Sequence, residues 1–550
     1  MNYWPQWTRR VAMDGSGRDP LGLSRVSDAL TNFLLPNIIT TTDRARYYSF
    51  YTWAVADIET LRKSKDGRIS FEEEFQRREA AFALASRLGQ KVDLPIVGYV
   101  QVSRVLASPD EYDNLDTNFR VLPSNATGGL GQYYAGCLRG LDLIRVDEHG
   151  EWAVSPEFGK RLADAFASAT AKSPYLLDAW RSKARIPKTI LESSAKTFSL
   201  DALSERTADV EREMLVSMFF SLGESPSGTR LLNRQATLGM YLHVLKTCEE
   251  AGVEVTLHDV DGCAIFWPHY YAGIADEEHD LIPYHPPPAF SDAHAFWRQF
   301  CAHQFLAFAL EEFLAAMLDA LSPHPEGLTK PELLDKLVSK EIVSDLEKVT
   351  KANCGIPAAL LKVVGIEEVP NAAVCIEVTK KYDGDAKINE WSVCLDRDVS
   401  PHTRLGRALL LLALLYAKWR GRNDEDALLR VADEAKGELW LGTIFPWLDA
   451  WLTEQLDWRQ AIEHILDWIT MRHDQVKFQK RKLDASWFEV ANGRFTKQQD
   501  IVPGFRASRH RNATTVLQDL GLIKHAGIND PLVLTPRGKQ ILNKVIQLRK

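Results

Sequence analysis

Two stretches of this 550-residue chain gather residue types that could do metal chemistry. "ADEEHDLIPYH" holds Asp276, Glu277, Glu278, His279, Asp280 and His285. Carboxylates and imidazoles bind divalent cations, but this spacing matches no ligand pattern, and a solvated acidic loop explains it. "CIEVTKKYDGD" sets Glu377 on a strand-like run near Lys380. Restriction-type nucleases hold magnesium with an acidic residue and an E-x-K strand. Here the spacing is E-x-x-K, which sends the two side chains to opposite faces of a regular strand. His303 and Glu311 lack an H-E-x-x-H frame, and His473 in "MRHDQV" reads as a packing or capping residue. No P-loop, nucleophile elbow or dinucleotide fingerprint occurs, and the glycines of "NATGGLGQYY" read as a tight turn into a helix. The sequence implies no cofactor and no metal. A metal-dependent nuclease stands as the alternative to a binding protein.

The cations say more. From Met471 to Lys550 there are 16 Lys and Arg against 6 Asp and Glu; with a net charge of −8, the remaining 470 residues carry −18. A basic tail on an acidic body predicts one localised anionic contact. In "GFRASRHRNATTVLQDLGLIKH", Arg506, Arg509, Arg511 and Lys524 can meet phosphates, and Asn512, Thr514 and Thr515 can reach base edges. A second cationic site opens a helix in "TTTDRARYYSFYTWAV", where Arg44 and Arg46 oppose the helix dipole. An anion must offset them, either a bound phosphate or partner, or an internal carboxylate; the internal pair is the commoner solution. Thr42 or Asp43 is the expected N-cap. Tyr47, Phe50, Tyr51 and Ala54 form one buried stripe, while Tyr48 and Trp53 lie off it. Rings off the stripe predict a helix wedged between two layers, or one facing a partner. Arg77 and Arg78, beside Glu72 to Glu74 and Glu79, form a second charged cluster with the same internal reading.

The elements that position these residues show an internal echo. "GLDLIRVDEHGEWAVSPEFGKRLADAF" (140–166) and "DLGLIKHAGINDPLVLTPRGKQILNKV" (519–545) share a Leu-Ile pair, a polar turn, a short apolar strand, Ser/Thr-Pro, a glycine and a helix. That order is the back half of a winged helix-turn-helix, with Ser155 or Thr535 placed to cap the last helix and Pro156 or Pro536 at its first position. The first copy has an acidic wing (Asp147, Glu148, Glu151), which repels phosphate and points to a structural or protein-contacting module. The second copy carries the arginines and is the expected DNA-contacting module.

Around these modules the pattern is mostly helical. Ser70 to Leu88 begins with a capping-box-like Ser70 and Glu73. Val210, Met214, Met218 and Phe219 mark one helical stripe, and Asp292 to Leu321 reads as one long central helix. Trp440 to Val476 reads as further helices, whereas "AAVCIEV" and "EWSVCLDRDV" read as strands of a small α/β insertion. The expected fold is mainly α: a multi-domain helical body with two winged helix-turn-helix-like modules and that insertion. Segments fall at 1–166, 167–321, 322–400, 401–480 and 481–550. Apolar residues make up 45% and charged residues 25%, as in globular proteins. "ALLLLALLYA" is too short to span a bilayer, so it reads as a core helix. Seven scattered cysteines without a C-x-x-C pair, and no signal-peptide pattern, predict a cytoplasmic protein with reduced thiols.

"DPLGLSRVSDALTNFLLPNIITTTDRARYYSFYTWAV" resembles the N-terminus of an uncharacterised bacterial protein family with an L-L-P-G-I-T stretch followed by R-x-R-Y-[YF]-x-F-Y-x-W. Asn37 stands at the glycine position. "RREAAFALAS", "WRQFCAHQFLAFALEEF", "RHDQVKFQKRK" and "RASRHRNATTVLQDLGLI" extend the resemblance. Such genes resemble those of defence islands and mobile elements, beside helicases, nucleases and methyltransferases. The resemblance implies a DNA-binding or adaptor subunit of an antiphage or DNA-processing system, with DNA and a helicase or nuclease as partners, or else a protein-only assembly factor.

Overall fold

The structure is a computed structural model. It describes residues 19–550 except 66–68, 91–95, 111, 149, 178, 276–280, 341–342, 345–356, 367–388, 396–400, 422–440, 481–485, 526 and 528. The acidic stretch 276–280, Glu377, Lys380 and "AAVCIEV" therefore lie outside the described residues.

The fold is mainly helical, with short antiparallel strand pairs. It divides into two compact units that cut across the sequence-derived segments. The first unit comprises 31–264, 286–294 and 507–550; the second comprises 1–30, 265–285 and 295–506. The basic tail is thereby split: its first part belongs to the second unit and its winged part to the first.

In the first unit, α1 (Arg46–Ser64) is the central element. Every residue from Arg46 to Val55 is buried, as expected of a helix wedged between layers. It packs on α2 (Phe71–Gly89) and on the first winged copy, with Phe50 stacked on Phe82 at 3.9 Å between ring centroids. Ser70 caps α2 by accepting from the Glu73 amide, but its hydroxyl donates to Glu72, so only half of the capping box forms. Asn37 has φ 62°, a left-handed conformation that asparagine tolerates better than most residues.

The charged cluster of α2 is internal. Arg78 pairs with Asp57 and Glu74, and Arg77 with Glu74. Glu79 has no ion pair among the described residues; it accepts from the Tyr51 hydroxyl and the Gly129 amide, each at 2.8 Å. The glycines of "NATGGLGQYY" make this cradle: a Cβ on Gly128 would collide with Glu79 Oε2.

The second unit is built on the helix Ser291–Leu321 from residue 295 onward, whose residues from Gln299 to Leu318 are all buried. Pro401–Trp419, which contains "ALLLLALLYA", is a core helix as expected. Helices Leu441–Thr453 and Trp458–Lys480 follow. A three-stranded sheet runs in the order Leu328–Thr329, Arg494–Lys497, Phe488–Ala491. Thr329 and Glu332 form a full capping box, not anticipated from the sequence. "EWSVCL" departs from its strand-like composition and is a helix, Glu390–Leu395. Its Glu390 is fully buried and bonded to Tyr270, Tyr271 and Lys418, so tertiary contacts override β propensity.

His303 bonds the Leu23 carbonyl at 2.8 Å, and Glu311 pairs with Arg506. His473 accepts from the Trp487 amide and stacks on Phe488. Each is a packing role. Among the described residues, no group of three or more His, Cys, Asp or Glu could hold a metal, and no helix is long and apolar enough to cross a membrane.

Candidate functional site

The candidate site lies in the first unit, where the opening helix meets the C-terminal winged copy. Neither Thr42 nor Asp43 caps α1; position 45 precedes the helix, and no local side chain caps it. The anion arrives from elsewhere. Asp519 accepts from the Ala45 amide at 2.9 Å and from Arg44 Nε at 3.0 Å. Arg44 Nη2 also pairs with Asp201 at 3.0 Å. Burial works against the Arg44 charge, but Asp519 and Asp201 outweigh it and raise its pKa. Arg46 is clamped by Glu211 through Nε (3.1 Å) and Nη2 (2.9 Å), with both side chains fully buried. Its Nη1 donates to the Ser199 carbonyl, and Ser49 donates to Glu211 at 2.6 Å. The internal carboxylate is thus the observed solution at both arginines.

The two winged copies are built alike. In the first, α3 (Ala135–Gly140) leads into β1 (Ile144–Val146), β2 (Trp152–Val154) and α4 (Phe158–Thr170). Two other helices, α5 (Asp209–Phe219) and α6 (Thr229–Ala251), follow it. In the second copy, α7 (His510–Asp519) leads into β3 (Ile523–Lys524), β4 (Val533–Leu534) and α8 (Pro536–Leu548). The Leu143 amide bonds Leu138 O as the Leu522 amide bonds Leu517 O; Ser155 N bonds Leu143 O as Thr535 N bonds Leu522 O. A Cβ on Gly159 would collide with Leu143 O, and one on Gly538 with Leu522 O. The shared glycine therefore lets the last helix close against the first wing strand.

The caps differ. Thr535 accepts from the Gly538 amide at 3.0 Å, whereas Ser155 donates to Asp142 and does not cap α4. Thr535→Ala should cost about 1 kcal/mol, a fall of about 1–2 °C in Tm by calorimetry. Ser155→Ala should lose no cap.

Arg506 and Arg509 are not presented to a groove, which corrects their assignment to a cationic surface. Arg506, in the second unit, bonds Glu311 and lies 3.6 Å from Asp19. Arg509 is 8% exposed and donates to Asn32 Oδ1 and Ile38 O; with φ 67° it forms the turn into α7. Arg511 is 58% exposed, donates to His258 O and lies 3.6 Å from Asp261. Asn512 donates to Thr40 O, and Thr515 donates back to Arg511 O. Thr514, fully buried, shares a 2.6 Å hydrogen bond with the Tyr241 hydroxyl. Lys524 is exposed, with no partner among the described residues.

Residues 511, 512, 515, 518 and 519 share one face of α7. This is the face a groove-reading helix would present, and here it meets protein. A cleft of about 570 Å³ is lined by Thr515, Gln518 and Asp519 together with Arg44 and a wall formed by residues between 192 and 205. The rest of the module is tied down as well: Arg537 pairs with Glu213, Lys539 with Glu249, and the Leu532 amide bonds Val255 O. Asp519, Asp201 and Glu211 were not among the sequence-derived candidates. Asp519 was visible as the one acid on the polar face of α7; the other two carried no local signal.

Comparison with family models, curated proteins and solved structures finds no match to this chain.

Proposed function

We propose that the chain is an adaptor, a protein-only assembly factor in the antiphage or DNA-processing setting that the sequence resemblance implies. One observation carries this reading: the polar face of α7 is engaged by Arg44, Thr40, His258 and Asp261 and faced by the wall 192–205. A major groove must admit the reading helix to its floor. The wall and the bonds stand where the duplex would enter. The second winged copy then acts as a clamp that fixes the start of α1.

DNA contact by the second copy is the other reading, favoured by the exposure of Arg511 and Lys524. Anisotropy of a labelled duplex separates the two. An adaptor should show only non-specific affinity, about 10⁻⁴–10⁻⁶ M at physiological salt, unchanged within about twofold by the Arg511→Ala/Lys524→Ala pair. A specific Kd of about 10⁻⁸ M or tighter that weakens in this double variant would establish DNA binding and remove the adaptor reading. The nuclease alternative rests on Glu377 and Lys380 or on the loop from Asp276 to His285; Glu377, Lys380 and residues 276–280 lie outside the described residues.

A further inference from the structure

The stripe Val210, Met214, Met218 and Phe219 does not act as one face. Met218 and Phe219 are buried with Leu215, whereas Val210 is 67% exposed and Met214 half-buried. Val210 and Met214 sit one turn apart on α5 and line a groove of about 490 Å³ together with Phe158 and Leu222. Phe158 begins the last helix of the first winged copy, and Lys544, on the last helix of the second, lines the same groove.

The charges around this groove are mostly self-paired. Arg161 bonds Glu224 at 2.6 Å, Glu213 bonds Arg537 at 2.7 Å, and Asp209 bonds Arg212. Lys544 has no ion pair or hydrogen bond among the described residues and is exposed. The groove therefore offers apolar surface with one uncompensated positive charge. An amphipathic helix with two apolar side chains at i, i+4 and a neighbouring carboxylate complements both features.

We propose that this groove receives an amphipathic, acidic helix of a partner protein. The proposal rests on the adaptor reading and supplies the chemistry of its partner. The partner's two apolar side chains pack on Val210 and Met214 between Phe158 and Leu222, and Lys544 meets its carboxylate. Basic helices are disfavoured, because the groove's own acids already hold cations.

A random-peptide phage library selected on the full-length chain tests this. Enriched sequences should pair apolar residues one turn apart with Asp or Glu. Synthetic versions should bind about tenfold or more weakly to Val210→Asp and Met214→Asp, and several-fold more weakly to Lys544→Glu. Circular dichroism and Tm of these surface variants should match the parent chain. Peptides that are predominantly basic, or that bind Val210→Asp undiminished, would overturn the proposal, as would a selection that enriches nothing over a Val210→Asp control. Self-association of the chain that Val210→Asp abolishes would also overturn it, by making a second copy the occupant. The adaptor reading itself fails on the duplex titration with the Arg511 and Lys524 variants, so the two failures are distinguishable.

Discussion

Arg46→Met should destabilise the protein by about 3–5 kcal/mol, because it leaves the Glu211 carboxylate buried without its counter-ion. Glu211 is fully buried, and Arg46 supplies two of its hydrogen bonds; the Ser49 hydroxyl supplies another. One hydroxyl cannot stabilise a carboxylate deprived of solvent. The Ser199 carbonyl also loses its donor. Adding Glu211→Leu to the same chain should recover most of the loss, since an apolar pair of similar volume often replaces a buried ion pair at little cost. Arg44→Met should cost less, because its partners Asp201 and Asp519 keep 28% and 11% of their side-chain surface in solvent. Urea unfolding of the three variants gives the ranking. A smaller loss for Arg46→Met than for Arg44→Met would mean that desolvation is not what makes this site costly to break.

The same arginines show what a linear sequence can carry. The helix Ser291–Leu321 was legible because its apolar residues cover more than one face and its ends are marked by proline. The winged copies were legible because their shared residues each act locally. The Leu-Ile pair starts a strand, and the glycine lets a helix close on a carbonyl. The wedged position of α1 followed from rings lying off a single stripe. Partner choice was not legible. Arg44 and Asp519 lie at nearly opposite ends of the chain, and no periodicity links them. An excess of cations in one segment does not reveal whether the rest of the fold supplies carboxylates, and here Glu311, Asp19, Asp261, Glu213 and Glu249 do so. Val210 shows the converse limit. Its spacing marks an apolar face but does not say whether the fold provides anything to cover it.

Glu79 should contribute to the pH response of the first unit. Burial pushes its carboxyl up to about 8, while the Tyr51 hydroxyl and the amides of Gly129 and Leu130 pull the other way without overcoming burial. Its hydroxyl partner is Tyr51, whose ring lies 5.3 and 5.0 Å from those of Tyr47 and Tyr134. A group with a raised folded pKa contributes its full stability below its unfolded value, 4.5, and loses it as pH rises through 8. Between those limits the loss approaches about 1.4 kcal/mol per pH unit. From pH 5.5 to 7.5 the parent chain should therefore lose on the order of 2–3 kcal/mol more than Glu79→Gln, which cannot ionise. Other groups have shifted pKa values too. Burial raises Glu311 to about 7, with the same sign as Glu79. Burial lowers His303 to about 4 and His510 to about 3, so their contributions are complete above 6.5 and are lost as pH falls. All three are present in both chains, so the difference between the two stability profiles isolates Glu79. Parallel profiles for parent and Glu79→Gln across this window would show that the carboxyl ionises without cost, and that the glycine cradle holds an anion rather than an acid.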